Sequence, residues 1–209
     1  MKVTIVGTGN MARGIGKRLV AGGHEVTVLG KESANAEAVV ADLGGDGAAT
    51  AGRSGDEIAD DVVVLAVYFA DAKSAVEQYG EALAGKVVVD ITNPVNESFD
   101  DLVTPPDSSA AQELAALVPG ARVVKAFNTT FANTLGEGRV GDQPLDVFLA
   151  GDDEEAKATV AQLVGDGGLR AVDAGPLKRA RELEAAGLLH MSVQGTLGSG
   201  YGSALKVLH

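Results

Sequence analysis

A chain of 209 residues is long enough for one good core with a modest appendage, and folding should bury roughly 70% of its unfolded surface. It contains no cysteine, which excludes disulfides, zinc–thiolate and iron–sulfur sites and cysteine nucleophiles, and its three histidines (His24, His190 and His209) lie too far apart in sequence to suggest a metal site. A formal charge of −12 repels nucleic-acid phosphates, so an anionic ligand would need local cations or backbone N–H groups.

Lys2–Val6 is a short apolar strand that runs into the tight turn Gly7–Gly9. The start MKVTIVGTG lacks a signal-peptide pattern and no apolar run reaches membrane-spanning length, so the expectation is a cytoplasmic protein with no membrane partner. Met11, Ile15, Leu19 and Val20 follow at helical spacing over Asn10–Ala21, and Gly22-Gly23 ends that helix. Glu25–Leu29 is a β-branched second strand, and Ser33 opens an Ala-rich helix to about Leu43. Asp60–Val67 and Lys86–Ile91 carry apolar runs without alternation, which suit parallel strands buried on both faces, and Ala70–Leu83 between them is helical.

Residues 96–107, with Pro105-Pro106 and four acids, form a loop, and Ser109 with Gln112 is a capping box for a helix to Leu117. Arg122–Ala126 and Leu145–Ala150 are further strands, and the helix in GDDEEAKATVAQLV gathers its acids at the N-terminal end, where the helix dipole favours them. A short strand Leu169–Val172 precedes a helical stretch from Pro176 and a Gly-rich segment, Gly195–Gly202. Alternating strands and helices imply crossover connections and a doubly wound, mostly parallel α/β sheet. The expected organisation is a Rossmann-type nucleotide-binding domain over 1–175 and a small C-terminal extension over 176–209. That extension is apolar for an exposed tail, so it should pack over the ligand crevice, against a second subunit of a homodimer, or both. A flexible Gly-rich turn is the equal alternative.

The first turn reads G-x-G-x-x-A. Gly7 makes the turn, Gly9 lets a pyrophosphate approach and Ala12 lets helix and strand pack closely, while backbone N–H groups at the helix start face the phosphates. Its place between a first strand and a first helix makes it a dinucleotide site. Where the second strand ends, the chain has Gly30-Lys31-Glu32. Gly30 offers no repulsion and Lys31 can pair with a 2′-phosphate, which favours NADP over NAD, although Glu32 could reach a ribose if the loop turned.

With IVGTGNMARG, GHEVTVLGK, VVKAFNTTFAN, LDVFLAGDDEEAK and VDAGPLKRARELE in this order over nearly the full length, the chain resembles the coenzyme F420-dependent NADP oxidoreductases. VKAFNT also occurs in related reductases, including the cytoplasmic domains of membrane metalloreductases. The resemblance implies hydride transfer between NADP and the deazaflavin coenzyme F420, face to face near the carboxyl ends of the strands. It implies phosphates on Gly7, Thr8, Gly9, Asn10 and Met11, a 2′-phosphate at Gly30 and Lys31, and cofactor contacts at Val67, Tyr68, Asn93, Pro94 and Val95. It sets Asn128, Thr129 and Ala132 beside the nicotinamide. Asn128 stands where archaeal members carry a His, and one cation follows the second strand where those members have more.

No catalytic acid or base stands out. Asp90 in DITNP could be one, or could fix a turn before Pro94; Tyr68 and Tyr201 have no evident partner; His190 reads as a core or interface residue and His24 as a turn residue. Lys125 either points toward helix ends or meets a phosphate. Hydride transfer between two cofactors needs little from side chains, which fits this absence. A reductase of flavin, ferric chelates or a small imine, and a non-catalytic NADP-binding sensor, remain the alternatives.

Overall fold

The computed structural model describes residues 1–44 and 47–208. The first half holds β1 (Lys2–Val6), α1 (Asn10–Ala21), β2 (Glu25–Gly30), α2 (Ser33–Leu43), β3 (Ala49–Arg53), β4 (Val62–Leu65), α3 (Phe69–Tyr79) and β5 (Val87–Asp90). The second half holds α4 (Ala110–Leu117), β6 (Arg122–Lys125), α5 (Ala132–Glu137), β7 (Arg139–Val140), β8 (Gln143–Pro144), β9 (Asp146–Gly151), α6 (Glu154–Asp166), β10 (Arg170–Gly175), α7 (Ala180–Ser192) and α8 (Gln194–Leu197).

Eight strands form one sheet in the order β10-β9-β6-β5-β4-β1-β2-β3, and β7 and β8 form a small hairpin. From β3 to β6 every neighbouring pair is parallel. The unalternated runs explain this. Val62 and Val64 face one layer with Ile15, Leu19, Val39 and Val160, whereas Val63 and Leu65 face the other with Val76, Leu83 and Leu114. The inner strands β4 and β5 thus bury both faces, as a doubly wound fold requires. Strand order reverses between β1 and β4, because β2 and β3 lie to one side of β1 and β4 to β6 lie to the other.

The structure departs from the sequence expectation in six places. The helix expected to reach Leu83 ends at Tyr79 and continues as a 3₁₀ turn, Gly80–Leu83, because Gly80 adopts φ +45°. The strand Ala49–Arg53, the helix α5 and the hairpin at Gly141–Asp142 were not expected. The strand β9 runs antiparallel to β6. The last strand extends to Gly175 instead of ending at Val172. Half of the expected capping box is present: Ser109 Oγ accepts from the Gln112 N–H at 3.2 Å, while Gln112 Oε1 takes the Ser109 hydroxyl at 3.1 Å instead of its backbone N–H.

From Pro176 the chain turns back over the carboxyl ends of β5 and β6 as α7. Its tail then runs from α8 toward the start of β9. Ser203 Oγ lies 2.8 Å from His190 Nε2, Asn133 Nδ2 donates to the Gly200 carbonyl at 2.9 Å, and Lys206 Nζ and the Val207 N–H donate to Asp146 at 2.9 Å each. Among the described residues, no helix is long and apolar enough to cross a membrane.

Candidate functional site

The carboxyl ends of β1, β2, β4, β5 and β6 form one edge, and the expected site residues sit there: Gly30 at the end of β2, Asn10 and Met11 on the first turn of α1, Ala132 at the start of α5, and the rest on the loops leaving the strands. The turn after β1 is built as its glycines suggest. Gly7 adopts φ +127°, its N–H donates to the Leu29 carbonyl at 2.9 Å, and a Cβ there would fall 2.2 Å from the Ala66 carbonyl oxygen. Only glycine fits between β1, β2 and the end of β4.

Gly9 is different. Its φ of −77° suits any residue, and a Cβ there would meet nothing within 4 Å. The fold therefore does not need a glycine at this point, but a ligand approaching the backbone closely does. Beside it, the first turn of α1 presents N–H groups with no intrahelical acceptor, which is a site for phosphate oxygens. Ala12 is fully buried under the sheet. The backbone thus fits a pyrophosphate, and the reversal in strand order at β1/β4 lets a dinucleotide lie across the edge, adenosine over β2 and nicotinamide toward β5 and β6.

At the adenosine end, Gly30 is packed tightly, since a Cβ would come 2.8 Å from Thr8 Cγ2. Lys31 is 79% exposed and its Nζ lies 2.7 Å from Asp71 Oδ1 on the first turn of α3. Lys31 is thus exposed at this corner with an acid as its partner. Sequence reading missed both Asp71 and Arg53. Arg53 ends β3 directly beside Gly30 in the parallel register, which puts a second cation at this corner. No local signal marked it, because β3 itself was illegible.

At the other end, Val67 is half-buried beside Gly7 and Tyr68 is 83% exposed before α3. The polar stretch after β6 is turned inward more than outward. Asn128 Nδ2 donates to Asn93 Oδ1 at 2.9 Å and to the Leu183 carbonyl at 2.8 Å, while Asn93 Nδ2 donates back to the Asn128 carbonyl at 2.8 Å. Two buried atoms in this floor have no partner, Asn128 Oδ1 and Thr92 Oγ1. Thr129 is buried, with its carbonyl 3.2 Å from His190 Nδ1, and Thr130 donates to Phe127. Phe127 itself takes φ +60°, a strained left-handed turn that closes the floor. Pro94 is buried, and Val95 is half-buried and bridges to Leu102. His190 is a core residue, as its apolar surroundings suggested; Phe131 stacks on it at 4.2 Å and Tyr201 meets Phe131 edge-on at 5.0 Å. Burial lowers the His190 pKa.

Beneath this floor lies a group that sequence reading divided among uncertain roles. Lys125 Nζ donates to Asp90 Oδ2 at 2.7 Å, to the Thr92 carbonyl at 2.5 Å and to Glu184 Oε1 at 2.8 Å, and all three charged side chains are 0% exposed. Asp90 Oδ1 takes the Thr92 N–H at 2.9 Å, so it does fix the turn before Pro94. Glu184 Oε2 takes the Ala110 N–H at 3.1 Å. Burial pushes the Glu184 pKa up, against the pull of Lys125. Lys125 therefore serves neither helix ends nor a phosphate, but two buried carboxyl groups and a loop carbonyl. Glu184 was missed; the hint was Gly187, one turn further along α7, where a Cβ would come 2.7 Å from Asn93 Oδ1.

A cleft of about 420 Å³ opens on the opposite edge, among Met1, Lys2, Asp60, Asp61 and Arg122. It lies at the amino ends of the strands, and Asp60 is already bound by Thr4 and Lys86.

The glycine turn and the strand reversal beside it define a Rossmann-type dinucleotide-binding protein. Sequence comparison makes this specific. The sequence model of the family described as NADP oxidoreductase, coenzyme F420-dependent, matches residues 2–94. The F420-dependent NADP reductase of Methanocaldococcus jannaschii is 31% identical over 205 residues, covering 88% of both chains. Metalloreductase STEAP3 of Rattus norvegicus is 32% identical over 185 residues, covering 88% of this chain and 36% of that protein, so the chain spans about a third of its length. The crystal structure of a proposed F420-dependent NADP reductase from Arthrobacter sp. FB24 superposes with a TM-score of 0.88 at 28% identity over the whole of both chains. The chain belongs to the family of coenzyme F420-dependent NADP oxidoreductases, and it is an NADP-dependent oxidoreductase.

Proposed function

We propose that the chain transfers a hydride between NADP(H) and a deazaflavin of the coenzyme F420 type. The redox chemistry would be supplied by the two cofactors, and the protein's part is to bind them, orient them and keep water out. Gly7–Met11 would hold the pyrophosphate through backbone N–H groups, with Gly30, Lys31 and Arg53 at the 2′-phosphate. The loops at Val67-Tyr68, Asn93–Val95 and Asn128–Ala132 would shape the nicotinamide end. Asn128 would act there through its one unpartnered atom, Oδ1, because its amide nitrogen is spent on Asn93 and Leu183.

The observation that carries the nucleotide half is the empty space at Gly9, a cradle that the fold itself does not require. The deazaflavin half is supported by the name of the M. jannaschii relative, which matches this chain nearly end to end. It is also supported by a crevice floor whose polar groups are tied to one another and offer no poised proton donor. The test is a spectrophotometric assay of the purified protein with NADPH and oxidised coenzyme F420, beside cuvettes with FMN, FAD and no acceptor. Rapid loss of deazaflavin absorbance, unmatched by the flavins, is expected. NADPH binding without deazaflavin turnover would refute the acceptor and leave the nucleotide site standing.

A further inference from the structure

The buried cluster of Lys125, Asp90 and Glu184 holds one ammonium and two carboxyl groups with no access to water. Its hydrogen bonds join it into one network. All three Nζ donors are used, on Asp90, Thr92 and Glu184. Each carboxyl oxygen of Glu184 faces a donor, Oε1 the ammonium and Oε2 the Ala110 N–H, an arrangement that suits the ionised form. Asp90 is in the same position, between Lys125 and the Thr92 N–H. With both carboxyls ionised, the cluster carries one net negative charge. Burial pushes the Glu184 pKa up, and the Lys125 ammonium and the Ala110 N–H act against that rise.

A charge of this kind has a long reach. It lies at the last residues of β5 and β6, directly under the Asn93–Asn128 floor, in surroundings that screen little. Resting on the nucleotide reading above, this places it below the nicotinamide end of the crevice. The oxidised nicotinamide ring carries a positive charge and the reduced ring does not.

We propose that Lys125, Asp90 and Glu184 form a fixed anionic cluster that selects the oxidised, cationic nicotinamide over the reduced one, and so tunes the potential of the bound NADP couple. The cluster touches neither cofactor; it acts through the field it sets at the floor and through the position of Thr92 and Asn93. It makes bound NADPH a stronger hydride donor than free NADPH, which favours reduction of the acceptor.

The experiment measures the dissociation constants of NADP⁺ and NADPH separately, by equilibrium titration, in the wild type, Glu184→Gln and Asp90→Asn. Wild type should bind NADP⁺ more tightly than NADPH. Either substitution removes the net charge and should raise the ratio Kd(NADP⁺)/Kd(NADPH) about fivefold, which corresponds to a rise of about 20 mV in the bound couple. A structural defect alone would weaken both nucleotides together and leave the ratio unchanged. A ratio within twofold of wild type in either folded variant overturns the proposal. So does tighter binding of NADPH than NADP⁺ by the wild type, a comparison that needs no variant. Wild type that binds neither nucleotide overturns both this proposal and the nucleotide site beneath it.

Discussion

Replacing Gly9 with valine separates a ligand cradle from a folding requirement. In the free protein a Cβ at Gly9 meets nothing within 4 Å, and the backbone there (φ −77°, ψ −176°) is one a β-branched residue adopts readily. Stability should therefore change by no more than about 0.5 kcal/mol, as for a surface substitution. Nucleotide binding should suffer heavily, because the isopropyl group fills the space through which a pyrophosphate reaches the first turn of α1. Each charge-assisted hydrogen bond lost there is worth about 1.5–3 kcal/mol, so losing two weakens NADPH by about 3–6 kcal/mol, roughly a hundred- to ten-thousandfold.

Gly7→Ala is the matched control. Its Cβ would lie 2.2 Å from the Ala66 carbonyl oxygen at a backbone φ of +127°, so it should cost about 3 kcal/mol or more of folding stability. The assays are urea unfolding followed by circular dichroism, and NADPH titration for both variants. Two results would refute the reasoning: Gly9→Val binding NADPH within threefold of wild type, or Gly9→Val losing as much stability as Gly7→Ala.

The remaining expectations concern charge. Lys31→Ala should weaken NADP⁺ about tenfold or more and NAD⁺ less than about twofold, in equilibrium titrations of both nucleotides, because only the 2′-phosphate loses a charged contact. Asp71→Asn, which frees Lys31 from its 2.7 Å partner, should tighten NADP⁺ in the same titration. Lys125→Met should cost about 3–5 kcal/mol in urea unfolding, since it leaves Asp90 and Glu184 buried without their cation. Asp146 should make stability depend on acid: burial pulls its carboxyl up, but hydrogen bonds from Arg170, the Val207 N–H and Lys206 outweigh this and hold it at about 2. That stabilisation, about 1–2 kcal/mol after solvent screening, is complete above the ordinary value of 3.8 and is lost as pH falls through about 2, a decline that Asp146→Asn should lack in unfolding curves at stepped pH.

The strands of the parallel half were legible because each is a run of Val, Ile and Leu with both faces buried, a pattern tied to position inside a doubly wound sheet. Ala49–Arg53 has no such signature. It is an edge strand of small and polar residues, paired only with β2, and nothing in ATAGR asks for burial. The direction of β9 was hidden for another reason. Strand direction is set by what connects two strands, and here the connection is the six-residue helix α5 followed by a two-strand hairpin, both too short for a periodic pattern to emerge. Glu184 illustrates the limit for ion pairs, since its partner Lys125 lies 59 residues away and no spacing rule spans that distance.

The polar stretch VVKAFNTTFAN shows why a binding site is harder to read than a fold. Polar residues leaving a core strand need partners, and ligand and protein can supply the same hydrogen bonds. Here the protein supplies most of them: Lys125 goes to Asp90 and Glu184, Asn128 to Asn93 and Leu183, and Thr130 to Phe127. The surface that best fits a ligand is made instead of backbone, at Gly9 and the first turn of α1, where the side chains contribute by being small. A count of polar side chains is blind to such a site. The G-x-G-x-x-A spacing finds it because the pattern encodes where side chains are missing, and what remains in the polar stretch, Asn128 Oδ1 above a buried charge, is the part that a bound nicotinamide could still use.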